Sequence, residues 1–224
     1  MDILLVSATS FEIAPVLEHL RKTCDMPEEN VFVRNDRIVR TLVTGVGMIC
    51  TAWSLGRHFS MYRPALAIDA GIAGSFDRSV ALGEVVHVIS ERFGDLGVEE
   101  ADGRFTDLFE MGFMDAESSW HELGRMTNPA AGKAGFLPAV HGVSVNKVHG
   151  TQSGIDSLLS KYPDLSVESM EGAAFFFACL QAGLPFLEIR SISNYVEPRN
   201  RDAWNIPLAI QNLGEALVSM LDAL

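Results

Sequence analysis

At 224 residues, with 48% hydrophobic and 21% charged content, the chain is long enough to bury a sizeable core without disulfide or metal staples. Its 17 Lys and Arg against 29 Asp and Glu leave a formal charge of −12. That field repels nucleic-acid phosphates and anionic lipid headgroups, so it argues against nucleic acid and membrane as partners.

Cys24, Cys50 and Cys179 form no C-x-x-C pair, and their odd number suits a reducing compartment better than a disulfide framework. The opening Met1-Asp2-Ile3-Leu4-Leu5-Val6-Ser7 has neither the charged nor the long apolar region of a signal peptide. The longest apolar run, Ala173 to Leu180, falls far short of the roughly 20 residues that span a bilayer. A cytoplasmic protein with one domain over residues 1–224 is the expectation.

Short apolar runs alternating with amphipathic ones predict βαβ units around a buried, largely parallel sheet. Strands are expected at Ile3–Val6, Val31–Val33, Val39–Thr44, Ala65–Ala70 and Val85–Ser90. Helices are expected at Ile13–Lys22, with Ile13, Ala14, Leu17 and Leu20 on one stripe, and at Met48–Ser60. Gly94 to Gly135 is irregular but studded with Phe109, Met111, Phe113, Met114 and Trp120. Such a segment covers a pocket, meets a second subunit, or is a surface loop with anchoring side chains. Further strands follow at Gly142–Val145, Leu165–Glu168 and Phe186–Ser193. The helix Glu171–Ala182 between the last two stops at Gly183 and Pro185. A terminal helix starts near Asn205, carries Pro207 in its first turn, and lines up Ile210, Leu213, Leu217, Met220 and Leu221.

The histidines His19, His58, His87, His121, His141 and His149 show no H-x-x-x-H spacing and no cysteine at ligand distance, so no metal site is expected. A G-x-S-x-G nucleophile elbow is also lacking. Two glycine clusters remain, Thr44-Gly45-Val46-Gly47-Met48 and Asp69-Ala70-Gly71-Ile72-Ala73-Gly74-Ser75, each at a strand's carboxyl end, where open α/β sheets bind ligands. The first lacks the third glycine of a dinucleotide fingerprint and the Gly-Lys-Ser/Thr of a P-loop, so alone it reads as a tight turn. Glu12 and Glu171 sit at strand-to-helix junctions on the same edge, where either alone serves the helix dipole. Asn194, at the polar end Arg190-Ser191-Ile192-Ser193-Asn194-Tyr195 of a hydrophobic strand, reads alone as a turn residue.

Together, Glu12 after the first strand, Thr44-Gly45-Val46-Gly47, Ala70-Gly71-Ile72-Ala73-Gly74, Gly83-Glu84-Val85-Val86, Met170-Glu171-Gly172-Ala173 and Arg190-Ser191-Ile192-Ser193-Asn194 resemble the nucleoside phosphorylase and nucleosidase family. Order and spacing agree over most of the chain with the branch that holds methylthioadenosine/S-adenosylhomocysteine nucleosidases and futalosine hydrolases. The resemblance implies an α/β fold, a three-layer α/β/α sandwich around a mixed, partly barrel-like sheet. It also implies a homo-oligomer without cofactor or metal that cleaves a purine N-glycosidic bond through an oxocarbenium-like transition state. Glu12 resembles the carboxylate that activates water, Glu171 the one that binds ribose hydroxyls and supports the cation, and Met170 the residue pressed against the sugar. Val46, Gly71, Ala73, Gly74, Val148, His149, Ser169 and Ser193 fall in segments that line the substrate.

Asn194 occupies the position at which adenine-specific members keep an Asp. An amide offers a donor and an acceptor, which suits a 6-oxopurine such as hypoxanthine, but it cannot act as a general acid. A phosphorylase needs cationic and hydroxyl donors for phosphate, whereas Ser7-Ala8-Thr9-Ser10-Phe11-Glu12 offers a carboxylate and Ile72 offers no hydroxyl, so water is the expected nucleophile. Glu168–Phe176 and Ser193–Arg201 are most similar to the futalosine hydrolases, whose substrate is an inosine with a ketone-linked benzoate at its 5′ end. Arg199 and Arg201 would then clamp that carboxylate, with Trp204 lining the pocket and Phe109 or Phe113 closing over it. The alternatives are a methylthioadenosine/S-adenosylhomocysteine nucleosidase and a non-catalytic nucleoside-binding protein.

Overall fold

The computed structural model describes residues 1–115, 121–129, 131 and 135–224. β1 (Asp2–Ser7) leads to α1 (Ala14–Thr23), then to β2 (Asp25–Glu28), β3 (Val31–Arg34), β4 (Arg37–Val43) and α2 (Met48–Met61). β5 (Leu66–Ser75) and β6 (Val85–Glu91) precede the short strands β7 (Gly97–Glu99), β8 (Phe105–Asp107), β9 (His121–Glu122) and β10 (Arg125–Thr127). The chain continues through β11 (Ala139–Ser144), α3 (Gln152–Lys161), β12 (Val167–Ser169), α4 (Gly172–Ala182) and β13 (Phe186–Tyr195). It ends with a 3-10 turn, Arg201–Ala203, and α5 (Ile206–Ala223).

The central strands are apolar on both faces because both are covered. Ile3 and Leu5 of β1 join a core with Leu17 and Leu20 of α1 and Leu213 and Leu217 of α5. Leu4 and Val6 face a second core with Leu55 of α2 and Phe175 and Phe176 of α4. In β13, Leu187 and Ile189 enter the first core, while Phe186 and Ile192 enter the second. Three layers follow from this alternation.

The sheet runs β2-β3-β4-β1-β5-β12-β11-β6-β10-β9, and β13 pairs with both β5 and β6. That double pairing closes β5, β12, β11, β6 and β13 into a ring, with β1, β4, β3 and β2 as an open wing. β5 pairs antiparallel with β12, and β6 antiparallel with β13, so the sheet is mixed rather than largely parallel. β5 also runs through Gly71–Ser75, past its expected end at Ala70, because β12 and β13 flank that stretch.

Besides the short strands β7 to β10 within the segment expected to be irregular, two elements escape the sequence pattern for physical reasons. β2 is exposed on both faces and contains Pro27, which an edge strand tolerates, so it has no apolar period. α3 buries only Ile155 and Leu158 and starts among Ser and Gly. Its signal is the Thr151 cap, whose hydroxyl accepts from Gly154 N at 3.3 Å. Within the irregular segment Phe113 is exposed, and Trp120 lies outside the described residues. Among the described residues no helix is long and apolar enough to cross a membrane.

Candidate active site

Glu12 is buried between β1 and α1 and is held by four donors. Its Oε2 accepts from Thr9 Oγ1 at 2.8 Å, Thr9 N at 3.1 Å and Ser7 Oγ at 3.4 Å, and its Oε1 accepts from Ile72 N at 3.1 Å. β5 brings Gly71 against this carboxylate, where a Cβ would lie 2.9 Å from Glu12 Oε1 and collide with the Arg190 guanidinium. Glycine at 71 therefore lets an acid and a base approach the same point of backbone.

Glu171 is buried at the start of α4, and its Oε1 accepts from Gly47 N at 2.9 Å. Gly47 has φ 95°, a conformation natural to glycine. The Gly45-Val46-Gly47 turn thus aims a backbone N–H at a carboxylate. Burial raises the Glu171 carboxyl above its ordinary value, Arg190 opposes that rise, and Glu12 adds to it.

Arg190 is the central residue that sequence reasoning missed. It is fully buried on β13, where its Nε donates to Glu188 Oε1 at 2.7 Å and its Nη2 pairs with Asp69. Nη1 has no hydrogen-bond partner and abuts Gly71 beside Glu12. Burial pushes the Asp69 carboxyl up to about 8 and raises Glu188 and Glu91 as well. Its signals in the sequence are its place at the head of the matched Arg190–Asn194 run and a row of ionisable residues, Asp69, Glu91, Glu188 and Arg190, in largely apolar strands.

Asn194 stands at a second focus. The register of β13 slips between Ile192 and Asn194, a bulge that re-aims the side chain at the strand's end. Ser193 Oγ donates to Asn194 Oδ1 at 2.8 Å, and Asn194 Nδ2 donates to the Tyr195 carbonyl at 3.0 Å. A carbonyl only accepts, so Tyr195 fixes which way the amide faces. Asn194 shares a pocket with Gly74, Val148, His149, Glu168, Arg199 and Trp204. Arg199 lies over the Trp204 ring at 5.2 Å from its centroid. The His149 imidazole Nδ1 pairs with Glu168 Oε2, and His149 N donates to Glu168 Oε1 at 3.0 Å.

The remaining expected residues divide. Val46 is exposed on the turn before α2, Ala73 is buried in β5, and Met170 is half-buried beside Glu171. Ser169 is turned inward: its hydroxyl lies 3.2 Å from that of Ser144 and accepts from Gly172 N at 3.3 Å, steadying the start of α4. Arg199 and Trp204 sit with the amide of Asn194, whereas Arg201 is exposed on its 3-10 turn and does not line that pocket. Among the described residues no group of three or more His, Cys, Asp or Glu is arranged to hold a metal ion.

The closed ring and the two foci at the strand ends define the class: the chain belongs to the phosphorylase superfamily, whose model matches residues 2–222. A futalosine hydrolase of Acidothermus cellulolyticus is 30% identical over 220 residues, covering 97% of this chain and 89% of its own. A 5′-methylthioadenosine/S-adenosylhomocysteine nucleosidase of Colwellia psychrerythraea is 25% identical over 206 residues, covering 81% of this chain and 77% of its own. The native structure of a Helicobacter pylori futalosine hydrolase superposes with TM-score 0.78 at 18% identity, covering 100% of this chain and 98% of that one. At that identity the likeness establishes a shared fold.

Proposed function

We propose that this chain hydrolyses the N-glycosidic bond of a 6-oxopurine nucleoside, futalosine, releasing hypoxanthine. The observation that carries the reading is the amide of Asn194, locked by Ser193 and Tyr195 at a pocket wall while keeping one N–H and one lone pair free. Those groups donate to a six-position oxygen and accept from a protonated ring nitrogen. In this reading Glu12 orients and deprotonates water, the unpartnered Arg190 Nη1 helps place that water, and Glu171 holds the ribose hydroxyls as positive charge develops. Four donors hold Glu12 in one orientation, so the geometry precedes the substrate. A phosphate dianion would meet that carboxylate at once.

The test is incubation of the purified protein with futalosine and, separately, methylthioadenosine, followed by chromatography of the freed base. Faster adenine release from methylthioadenosine than hypoxanthine release from futalosine would overturn the reading.

The reading extends to a homo-oligomer. Ile49 and Trp53, one turn apart on α2, are 81% and 72% exposed, and Val46 on the preceding turn is 55% exposed. A second copy of the chain over this face would bury an apolar patch that begins at the Glu171-binding turn. Trp53→Lys is then expected to shift the light-scattering mass to that of a monomer and to lower kcat/KM. An unchanged mass would remove this face from the assembly.

A further inference from the structure

On one rung of the closed ring Gly74 has Asn194 as its neighbour in β13 and Glu168 as its neighbour in β12. Paired residues on adjoining strands send their side chains to the same face, so two polar side chains flank a position that has none. Two strand spacings put their Cα atoms roughly 10 Å apart. A Cβ at 74 would press on Asn194 Nδ2 at 3.0 Å and Val196 Cγ2 at 2.9 Å, so glycine keeps the floor of this slot flat. Glu168 and Asn194 line the same pocket, with Val148, His149 and Trp204 as walls.

Glu168 is unexpected there, a carboxylate whose side chain is only 3% exposed, set between Val167 and Ser169 on a short buried strand. Both contacts that hold it come from one residue, His149, through the backbone N–H and the imidazole Nδ1. An ionised carboxylate has about four lone-pair sites, so acceptor capacity remains on each oxygen.

We propose that Glu168 is a specificity-determining residue that accepts the N1–H of a 6-oxopurine, across the slot from Asn194, with His149 as the positioning residue that holds its carboxylate. The inference rests on the 6-oxopurine reading above and deepens it. A 6-oxopurine carries a hydrogen on N1, while a 6-aminopurine has a bare lone pair there. A carboxylate accepts from the first and repels the second. Asn194, its amide fixed by Ser193 and Tyr195, donates to the six-position oxygen, and Glu168 reads the neighbouring N1 edge with a charge that an amide lacks. The polar groups of the slot would be left unpaired by the wrong base, which is how such sites reject close analogues.

The experiment compares wild type with Glu168→Gln, assaying hypoxanthine release from futalosine and adenine release from methylthioadenosine. The amide of Gln donates to N1 of adenine and loses the negative charge. The expected result is at least a tenfold fall in kcat/KM for futalosine, carried mainly by KM, with a rise in the adenine-to-hypoxanthine ratio. An unchanged ratio, or equal losses with both substrates, overturns the proposal while leaving the futalosine reading intact. A wild type that releases no hypoxanthine sinks both. Should Glu168→Gln not fold, inhibition of the wild type by free bases decides: 1-deazahypoxanthine, which has C–H at the N1 position, is expected to bind at least tenfold more weakly than hypoxanthine. Equal inhibition overturns the role of Glu168.

Discussion

Glu12 donates nothing and accepts from four groups of the chain itself, two of them on Thr9. Replacing it by Gln keeps the shape but puts a donor against those donors and removes the base. Glu12→Gln is expected to cut kcat on futalosine by about 10²- to 10⁴-fold, the usual worth of a general base, with KM within a few fold. Near-normal kcat would exclude it from proton transfer. Arg199 lies over Trp204 at the wall shared with Asn194. On the reading that Asn194 meets the base, Arg199 on the same wall does too, and Arg199→Ala is expected to lower kcat/KM for futalosine and inosine alike. A loss confined to futalosine would return Arg199 to the substrate's tail. Glu12 and Asn194 stand out in the sequence only jointly, through the order and spacing of the matched runs, since alone each reads as a helix-dipole or turn residue. The role of Arg190 does not stand out, since its partner Asp69 lies 121 residues away and only the pairing of β13 with β5 brings them together.

Between elements, the start of α4 is fixed from three directions. Gly47 N holds Glu171 from the α2 side, the Ser144 hydroxyl accepts from Ala173 N at 2.7 Å, and Ser169 Oγ accepts from Gly172 N. Gly172 itself has no room for a side chain: a Cβ would collide with Glu91 Oε1 and with the Glu188 carboxylate. Gly172→Ala is therefore expected to cost about 1–3 kcal/mol by overpacking, read as a lower urea midpoint at unchanged m. A wild-type midpoint would show that the acids relax freely. The same elements show what pattern reading recovers. α4 was found from its apolar run and its Gly183 stop, which takes φ 62° as a left-handed C-cap residue. β2 and α3 were not, because one is solvated on both faces and the other buries too little to leave a stripe.

Over the whole molecule, the net acidity has an internal counterpart. Asp69, Glu91, Glu171 and Glu188 are all buried, and burial raises all four carboxyls. A raised acid keeps in the folded state a proton that the unfolded chain releases. Its stabilisation is complete below the unfolded value, 3.8 for Asp69, and is lost as pH rises through the folded value of about 8. Thermal stability is expected to decline from pH 5 to pH 9. Glu91→Gln, which mimics the protonated acid, should flatten that decline, and a slope unchanged by the substitution would remove Glu91 from the effect.

The closed ring limits how substrate preference can change. Asn194, Gly74 and Glu168 sit on strands with a neighbour on both sides, so insertions and loop grafts have no free edge there through which to act. Exchange of one purine for another is then confined to point substitutions on a rigid frame. The turn at Val46, though exposed, is fixed in length as well, because its Gly47 N–H has to reach Glu171.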